Sequence, residues 1–302
     1  MKDKEMKISE KYQEKQGEGR LPRKSLSFEI FPPKKDSELK NIDETLAVLC
    51  ELKPDYISVT FGAGGSANCN RTIELAKKIK YEYQVEPVVH LTCLHYDKKE
   101  IDEFAKILTD VGLQNVLALR GDKNPNIAEK GDFKHASDLI SYMKGKGDFC
   151  FLGACYPECH PESDDRVSEI KHLKAKVDAG ADVLLSQLFF DNQVFFDFQE
   201  KARIAGINVP IEAGIMPVTN KKQIERMVSM CGASIPAKLS KVLQRFGDNH
   251  EAMRDAGISY AIDQIIELAA HGVDGVHIYT MNDPYVARRI SEGVKNILKS
   301  GK

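Results

Sequence analysis

Short apolar, β-branched runs punctuate the chain at intervals of roughly thirty residues, and amphipathic stripes of helical spacing fill the gaps between them. The runs fall at 25–31, 56–61, 87–93, 115–121, 149–156, 183–190, 209–216 and 275–281. They are continuous rather than alternating, as strands are when both faces of a parallel sheet are covered. Among the stripes, Leu39, Ile42, Leu46 and Leu49 form one. Ile101, Phe104 and Leu108 form another, opened by an Asp97/Glu100 capping pattern and stopped at Gly112. Val167, Ile170, Leu173 and Val177 end at Gly180, and Val194, Phe195, Phe198 and Ala202 end at Gly206. Val286, Ile290, Val294 and Ile297 mark the last helix.

Eight such units predict an α/β chain folded as a (β/α)8 TIM barrel, with the active site at the C-terminal ends of the strands. The seventh and eighth runs lie too far apart for one helix. Helical patterns at 224–230, 237–246 and 258–270 are read as extra helices inserted in one barrel. Residues 25–302 then make a single catalytic domain, preceded by a polar, solvated N-terminal extension over residues 1–24. A doubly wound open sheet is the alternative. That fold normally carries a glycine fingerprint after its first strand, and SFEIFPPKK has no glycine.

Composition narrows the function classes. The net charge is −2 over 302 residues, so neither nucleic acid nor an anionic membrane is an expected partner. No apolar stretch approaches a membrane span, and the polar N-terminus has no signal-peptide h-region. Its acidic residues argue against a transit peptide, and a cytoplasmic location is expected. The seven cysteines are odd in number and dispersed. Only Cys155, Cys159 and His160 cluster, without a second pair, so reduced structural thiols and no metal are expected.

Candidate chemistry gathers at the strand ends. Glu29 lies in SFEIFPP, flanked in sequence by Phe28, Ile30 and Phe31. Burial disfavours a carboxylate and favours a proton donor, whereas pairing with a Lys or Arg makes the group structural; both readings stay open. Thr60 precedes the GAGG turn at 62–65, and His90 sits amid apolar neighbours. Arg120, Gly121 and Asp122 follow the fourth strand, Tyr156 and His160 the fifth. Gln187 ends the sixth; Thr219, Asn220 and Gln223 follow the seventh, and His277 and Tyr279 lie in the eighth.

Each has a plain structural reading as well: Arg120 as an ion-pair partner of Asp122, a lone histidine as a satisfied core group, Gln187 as a bridge between strands. What favours a site is convergence on one mouth, with no second polar set expected at the other end. No Ser-His-Asp order, Walker loop or zinc-protease helix is present. The set suits a planar heteroaromatic ligand with a phosphate tail, which Arg120 and Lys176 would meet.

SFEIFPP, VTFGAGG, HLTC, ALRGD, YPECHPE, KVDAGAD and the Gln-x-Phe-Phe-Asp of 187–191 occur in the order found in methylenetetrahydrofolate reductases. Over roughly residues 25–298 the chain resembles that family, in its short bacterial form with the catalytic barrel only. The resemblance implies a (β/α)8 barrel holding FAD at its mouth. It implies reduction of 5,10-methylenetetrahydrofolate to 5-methyltetrahydrofolate by ping-pong hydride transfer, within one-carbon metabolism and methionine biosynthesis. NADH, NADPH or a protein donor, with or without a partner subunit, supplies the electrons, and a homo-oligomer is expected.

By the same resemblance Glu29 is the general acid and Asp122 contacts folate beside the flavin. Gln187 and Gln223 bind folate. Thr60, His90, Arg120, Gly121, Asp122, Ala136, Tyr156, His160 and Lys176 contact the flavin. The chain departs from the family at Glu169, His172, Met227 and Asp283, where Asp, Asn, Phe and Arg are common. Flavin-free pterin barrels, such as folate-dependent transferases, and a subunit of an electron-transfer complex are the alternative functions.

Overall fold

The structure, a computed structural model, describes residues 6–14, 24–33, 39–61, 66–163 and 165–300. The GAGG turn at 62–65 lies outside them, as do residues 1–5 and 15–23 of the N-terminal extension. Eight parallel strands close into a barrel in chain order. They are β1 (Ser25–Ile30), β2 (Tyr56–Val59), β3 (Glu86–Thr92), β4 (Asn115–Leu119), β5 (Cys150–Cys155), β6 (Val183–Ser186), β7 (Ile211–Ile215) and β8 (Gly275–Tyr279). Closure pairs Ser27 with His277 and Glu29 with Tyr279 across β1 and β8.

The helices are α1 (Ile8–Glu14), α2 (Leu39–Glu51), α3 (Ser66–Tyr81), α4 (Lys98–Asp110), α5 (Ala136–Met143), α6 (Arg166–Ala179) and α7 (Asn192–Ile204). Then come α8 (Lys221–Cys231), α9 (Ala237–Phe246), α10 (His250–Ala270) and α11 (Pro284–Lys299). The last four include the expected insertions between β7 and β8. α10 begins at His250 rather than Ile258, because the Asn249 side chain accepts from Ala252 N and caps it there. α4 carries the full Asp97/Glu100 capping box. In α6 the expected stripe holds at Leu173 but not at Val167, which is 63% exposed. Among the described residues no helix is long and apolar enough to cross a membrane.

Strand alternation decides what each side chain meets. Phe28 and Ile30 point outward and pack with Ile42 and Leu46 of α2 in the main core. Ser27 and Glu29 point into the barrel. Glu29 is therefore not wrapped by its sequence neighbours, as its run suggested; its side chain is 19% exposed at the mouth. The barrel interior has two kinds of wall. Val88, Leu117, Leu152, Val183 and Leu185 form an apolar cluster. Ser27, Glu29, Ser58, Glu212 and His277 make a polar column from β1, β2, β7 and β8.

The N-terminal segment is not solvated where it is described. Ile8 is 1% exposed and Tyr12 8%, and both join the apolar cluster at the N-terminal ends of the strands. Ile8 N donates to Asn115 Oδ1 at 2.9 Å, and the Tyr12 hydroxyl donates to Glu212. α1 is a plug in the bottom of the barrel. Its polarity misled because one short stripe is enough to fill so narrow an opening. Glu212 also corrects the expectation of an unmarked opposite end. It is fully buried and accepts from Tyr12, from Tyr56 at 2.6 Å and from Ser27 at 3.0 Å.

Candidate functional site

A cavity of about 1180 Å³ opens at the C-terminal ends of the strands. Single-ligand pockets run to roughly 1,000 Å³, so this one has room for more than one aromatic group. Of the expected residues, Glu29, Thr60, His90, Arg120, Gly121, Asp122, Tyr156, His160 and Gln187 line it. Gln223 is set back one turn from Met227 on α8, which does line it. Ala136 and Lys176 stand away from the lining. Ala136 starts α5, and Lys176 lies over Gly153 and donates to Ala154 O from behind β5. Burial lowers the pKa of Lys176.

Glu29 is held by its backbone and faced by two imidazoles. The Thr280 hydroxyl donates to Glu29 O at 2.6 Å, and Asn282 exchanges two hydrogen bonds with the Phe31 backbone. These residues of the β8 exit had no signal in the sequence. Glu29 Oε2 lies 3.6 Å from His90 Nε2 and 3.9 Å from His277 Nε2. His90 Nε2 is buried with no hydrogen-bond partner. Burial pushes the His90 pKa down to about 4, against the opposing pull of Glu29, so the ring is neutral at pH 7. His277 does not reach the mouth; it is fully buried one layer below. Tyr279 reaches over β7 to donate to Ser186 O of β6 at 2.7 Å, which requires glycine at 214, where a Cβ would stand 2.7 Å from the Tyr279 oxygen.

The opposite rim is cationic and donor-rich. Arg120 forms a two-pronged pair with Glu162 at 2.9 and 3.0 Å, not with Asp122. Arg120 holds the Glu162 carboxyl down to about 2. Gly121 has φ +90°, and a Cβ there would press on Thr92 at 3.1 Å. His160 Nδ1 accepts from Glu162 N at 3.0 Å, so the neutral ring carries its proton on Nε2. Burial and Arg120 lower its pKa. Tyr156 packs edge-on against His160 at 4.7 Å. Asp122 is exposed at the rim. Gln187 Oε1 accepts from Leu188 N at 2.8 Å, leaving the amide Nε2–H donors to offer.

The positions expected from the resemblance to be departures have local roles. Glu169 accepts from His160 N and from the Ser163 hydroxyl, holding the YPECHPE turn. His172 stacks on His135 at 5.7 Å. Asp283 caps α11 through Tyr285 N and Val286 N. An aromatic trio of Phe61, Tyr96 and Phe104, packed edge-on at 5.2 to 5.9 Å, forms a second flank of the cavity. It went unnoticed because its members sit on three separate elements.

The fold and mouth define a (β/α)8 barrel with a large cavity at the C-terminal ends of its strands, mainly apolar and set with a few converging polar groups. The family model for methylenetetrahydrofolate reductase matches residues 16–295, and the chain belongs to that family. It is 38% identical to "Methylenetetrahydrofolate reductase (NADH) 1" of Arabidopsis thaliana over 85% of this chain and 46% of that one. It is 35% identical to "5,10-methylenetetrahydrofolate reductase" of Escherichia coli (strain K12) over 85% of this chain and 86% of the relative. The chain thus spans about half the length of the plant relatives.

Among solved structures, an uncharacterized protein from Clostridium thermocellum that binds two copies of 5-methyl-5,6,7,8-tetrahydrofolic acid superposes with a TM-score of 0.62. It is 16% identical, covering 89% of this chain and 96% of that one, and shares the fold.

Proposed function

We propose that this chain reduces 5,10-methylenetetrahydrofolate to 5-methyltetrahydrofolate with FAD bound in the barrel mouth and Glu29 as general acid. The observation that carries the reading is Glu29 itself: a carboxyl in the cavity wall, fixed by its backbone and faced by two imidazoles. Family membership supplies the substrate class.

The residues fit the flavin. Gly121 brings backbone close to the cavity, and His160 Nε2–H offers a donor and the unpartnered His90 Nε2 a second polar contact for ring edges. Arg120 is the rim cation for a phosphate, exchanging Glu162 for it. Thr60, Tyr156 and Asp122 complete the contacts at the mouth. Ala136, at the start of α5, and Lys176 belong with the tail. When bound, the flavin supplies the hydride.

The chain's own work is on protons and position. The closed N5–CH2–N10 ring of the substrate accepts hydride poorly. Glu29 delivers a proton to N10, directly or through one water, which opens the ring to a 5-iminium cation. Hydride addition to the exocyclic carbon then gives the methyl group. Asp122 stabilises the cation as it forms. Gln187 orients the pterin through Nε2–H, and Gln223 and Met227 bound the folate side. Donor and folate use one mouth in turn, which gives ping-pong kinetics. The plant relatives carry NADH in their names, which supports NADH as donor.

The test is a spectrum followed by one turnover. The purified protein should show bound flavin that elutes as FAD. The reduced enzyme should be reoxidised by methylenetetrahydrofolate with formation of the methyl product. A colourless protein that takes up no FAD would overturn the proposal.

A further inference from the structure

A hydrogen-bonded column rises from the plugged bottom of the barrel to His277, whose Nε2 stands 3.9 Å from Glu29 Oε2 at the mouth. At the bottom, Glu212 receives the hydroxyls of Tyr12, Tyr56 and Ser27. An ionised carboxylate only accepts, so three converging donors suit one there. Ser27 has a single proton. It is directed at Glu212 Oε2 at 3.0 Å, which can only accept, with Val276 O at 3.4 Å behind it. Ser27 Oγ also lies 2.7 Å from His277 Nδ1. A Ser27 proton given to Glu212 leaves the Ser27 oxygen to accept from His277 Nδ1–H. The His277 ring is stacked on Tyr56 at 5.7 Å and its Nε2 lies 3.4 Å from the Ser58 hydroxyl.

We propose that Glu212, acting through Ser27, fixes His277 as its Nδ1–H tautomer and so turns an Nε2 lone pair toward Glu29. His277, Ser27 and Glu212 are positioning residues, and the inference rests on Glu29 as the acid. An acceptor facing a carboxyl favours its protonated form, whereas a donor there favours the carboxylate. The other groups facing Glu29 are His90 from β3 and Tyr279 from β8. Neither brings a charge to it: burial keeps the His90 ring neutral and Tyr279 a phenol. The column therefore presents an acceptor rather than a donor to Glu29, set from the far end of the barrel. Burial likewise holds Tyr12 and Tyr56 as phenols, with Glu212 adding to the effect, so their donor roles do not change with pH.

Glu212→Gln tests this. Its amide can donate to Ser27, which then donates to His277 Nδ1 and moves the ring proton to Nε2. Long-range proton–nitrogen spectra of 15N-histidine holoenzyme report the tautomer, with His277→Gln to assign the resonance. The wild type should show Nδ1–H and Glu212→Gln should show Nε2–H. In stopped flow, the high-pH limb of the folate half-reaction should fall by about one pH unit in the variant, roughly tenfold in rate above it. Reduction by the nicotinamide donor should be unchanged.

A wild-type Nε2–H ring or an imidazolium at neutral pH would overturn the inference, as would a variant that moves neither tautomer nor limb. Should Glu212→Gln fail to fold, Ser27→Ala cuts the same link and should abolish the fixed Nδ1–H state; persistence of that state would be equally decisive. If the wild type reduced no folate, the functional proposal would fail while the tautomer result still judged the column.

Discussion

His90 makes the stability of the barrel depend on pH in a way that can be calculated. Its ordinary pKa of 6.5 is lowered to about 4 by burial. The unfolded chain takes up the proton first, so stability is whole above about 6.5, falls as pH drops, and stops falling below about 4. Linkage puts the loss between pH 7 and pH 5 at about 2 kcal/mol for this one group. His90→Gln removes it while keeping a polar side chain of similar reach. Urea unfolding of wild type and variant at both pH values isolates His90 together with its neighbour Glu29, because every other carboxylate keeps its surroundings. The wild type should lose about 2 kcal/mol more than the variant on going to pH 5. Equal losses would mean that His90 protonates freely in the folded barrel, and the neutral imidazole beside Glu29 would have to be abandoned.

Other changes probe other parts. Ile8→Ala should cost about 2–4 kcal/mol in urea unfolding, because the side chain fills the barrel floor; a solvated N-terminus would give almost none. Gln187→Ala should weaken folate turnover about tenfold, the loss of one oriented hydrogen bond, with flavin reduction spared; equal loss in both half-reactions would contradict the assignment. Asp122→Asn should raise the flavin potential by on the order of 30 mV, about 1.4 kcal/mol in a two-electron couple. An unchanged potential in dye titration would remove Asp122 from the neighbourhood of the flavin.

The architecture was legible because the barrel repeats one simple instruction, a continuous apolar run followed by an amphipathic stripe. The observed strands fall within or beside the runs read from sequence. The mouth was legible where polar residues interrupt those runs, as at Glu29, His90 and Gln187. Partnership was less so. Arg120 takes Glu162, forty-two positions away in the chain, rather than the adjacent Asp122, because a bidentate fork needs a geometry that a neighbour in the same turn does not offer. Glu212 was passed over as one polar residue in IEAGI. Only closure of the barrel brings Tyr12, Ser27 and Tyr56 to it from three distant segments. The alternation of β1 sorts Glu29 from Phe28 and Ile30, which a linear reading put together.

The central claim is that Glu29 supplies the proton that makes the folate an acceptor. The direct measurement is stopped-flow comparison of the two half-reactions in Glu29→Gln. The account predicts that flavin binding and reduction by the nicotinamide donor persist near wild-type rates while reoxidation by methylenetetrahydrofolate falls by at least about a hundredfold, the usual scale of general acid catalysis. Reoxidation at a wild-type rate, or equal impairment of both half-reactions, would contradict it.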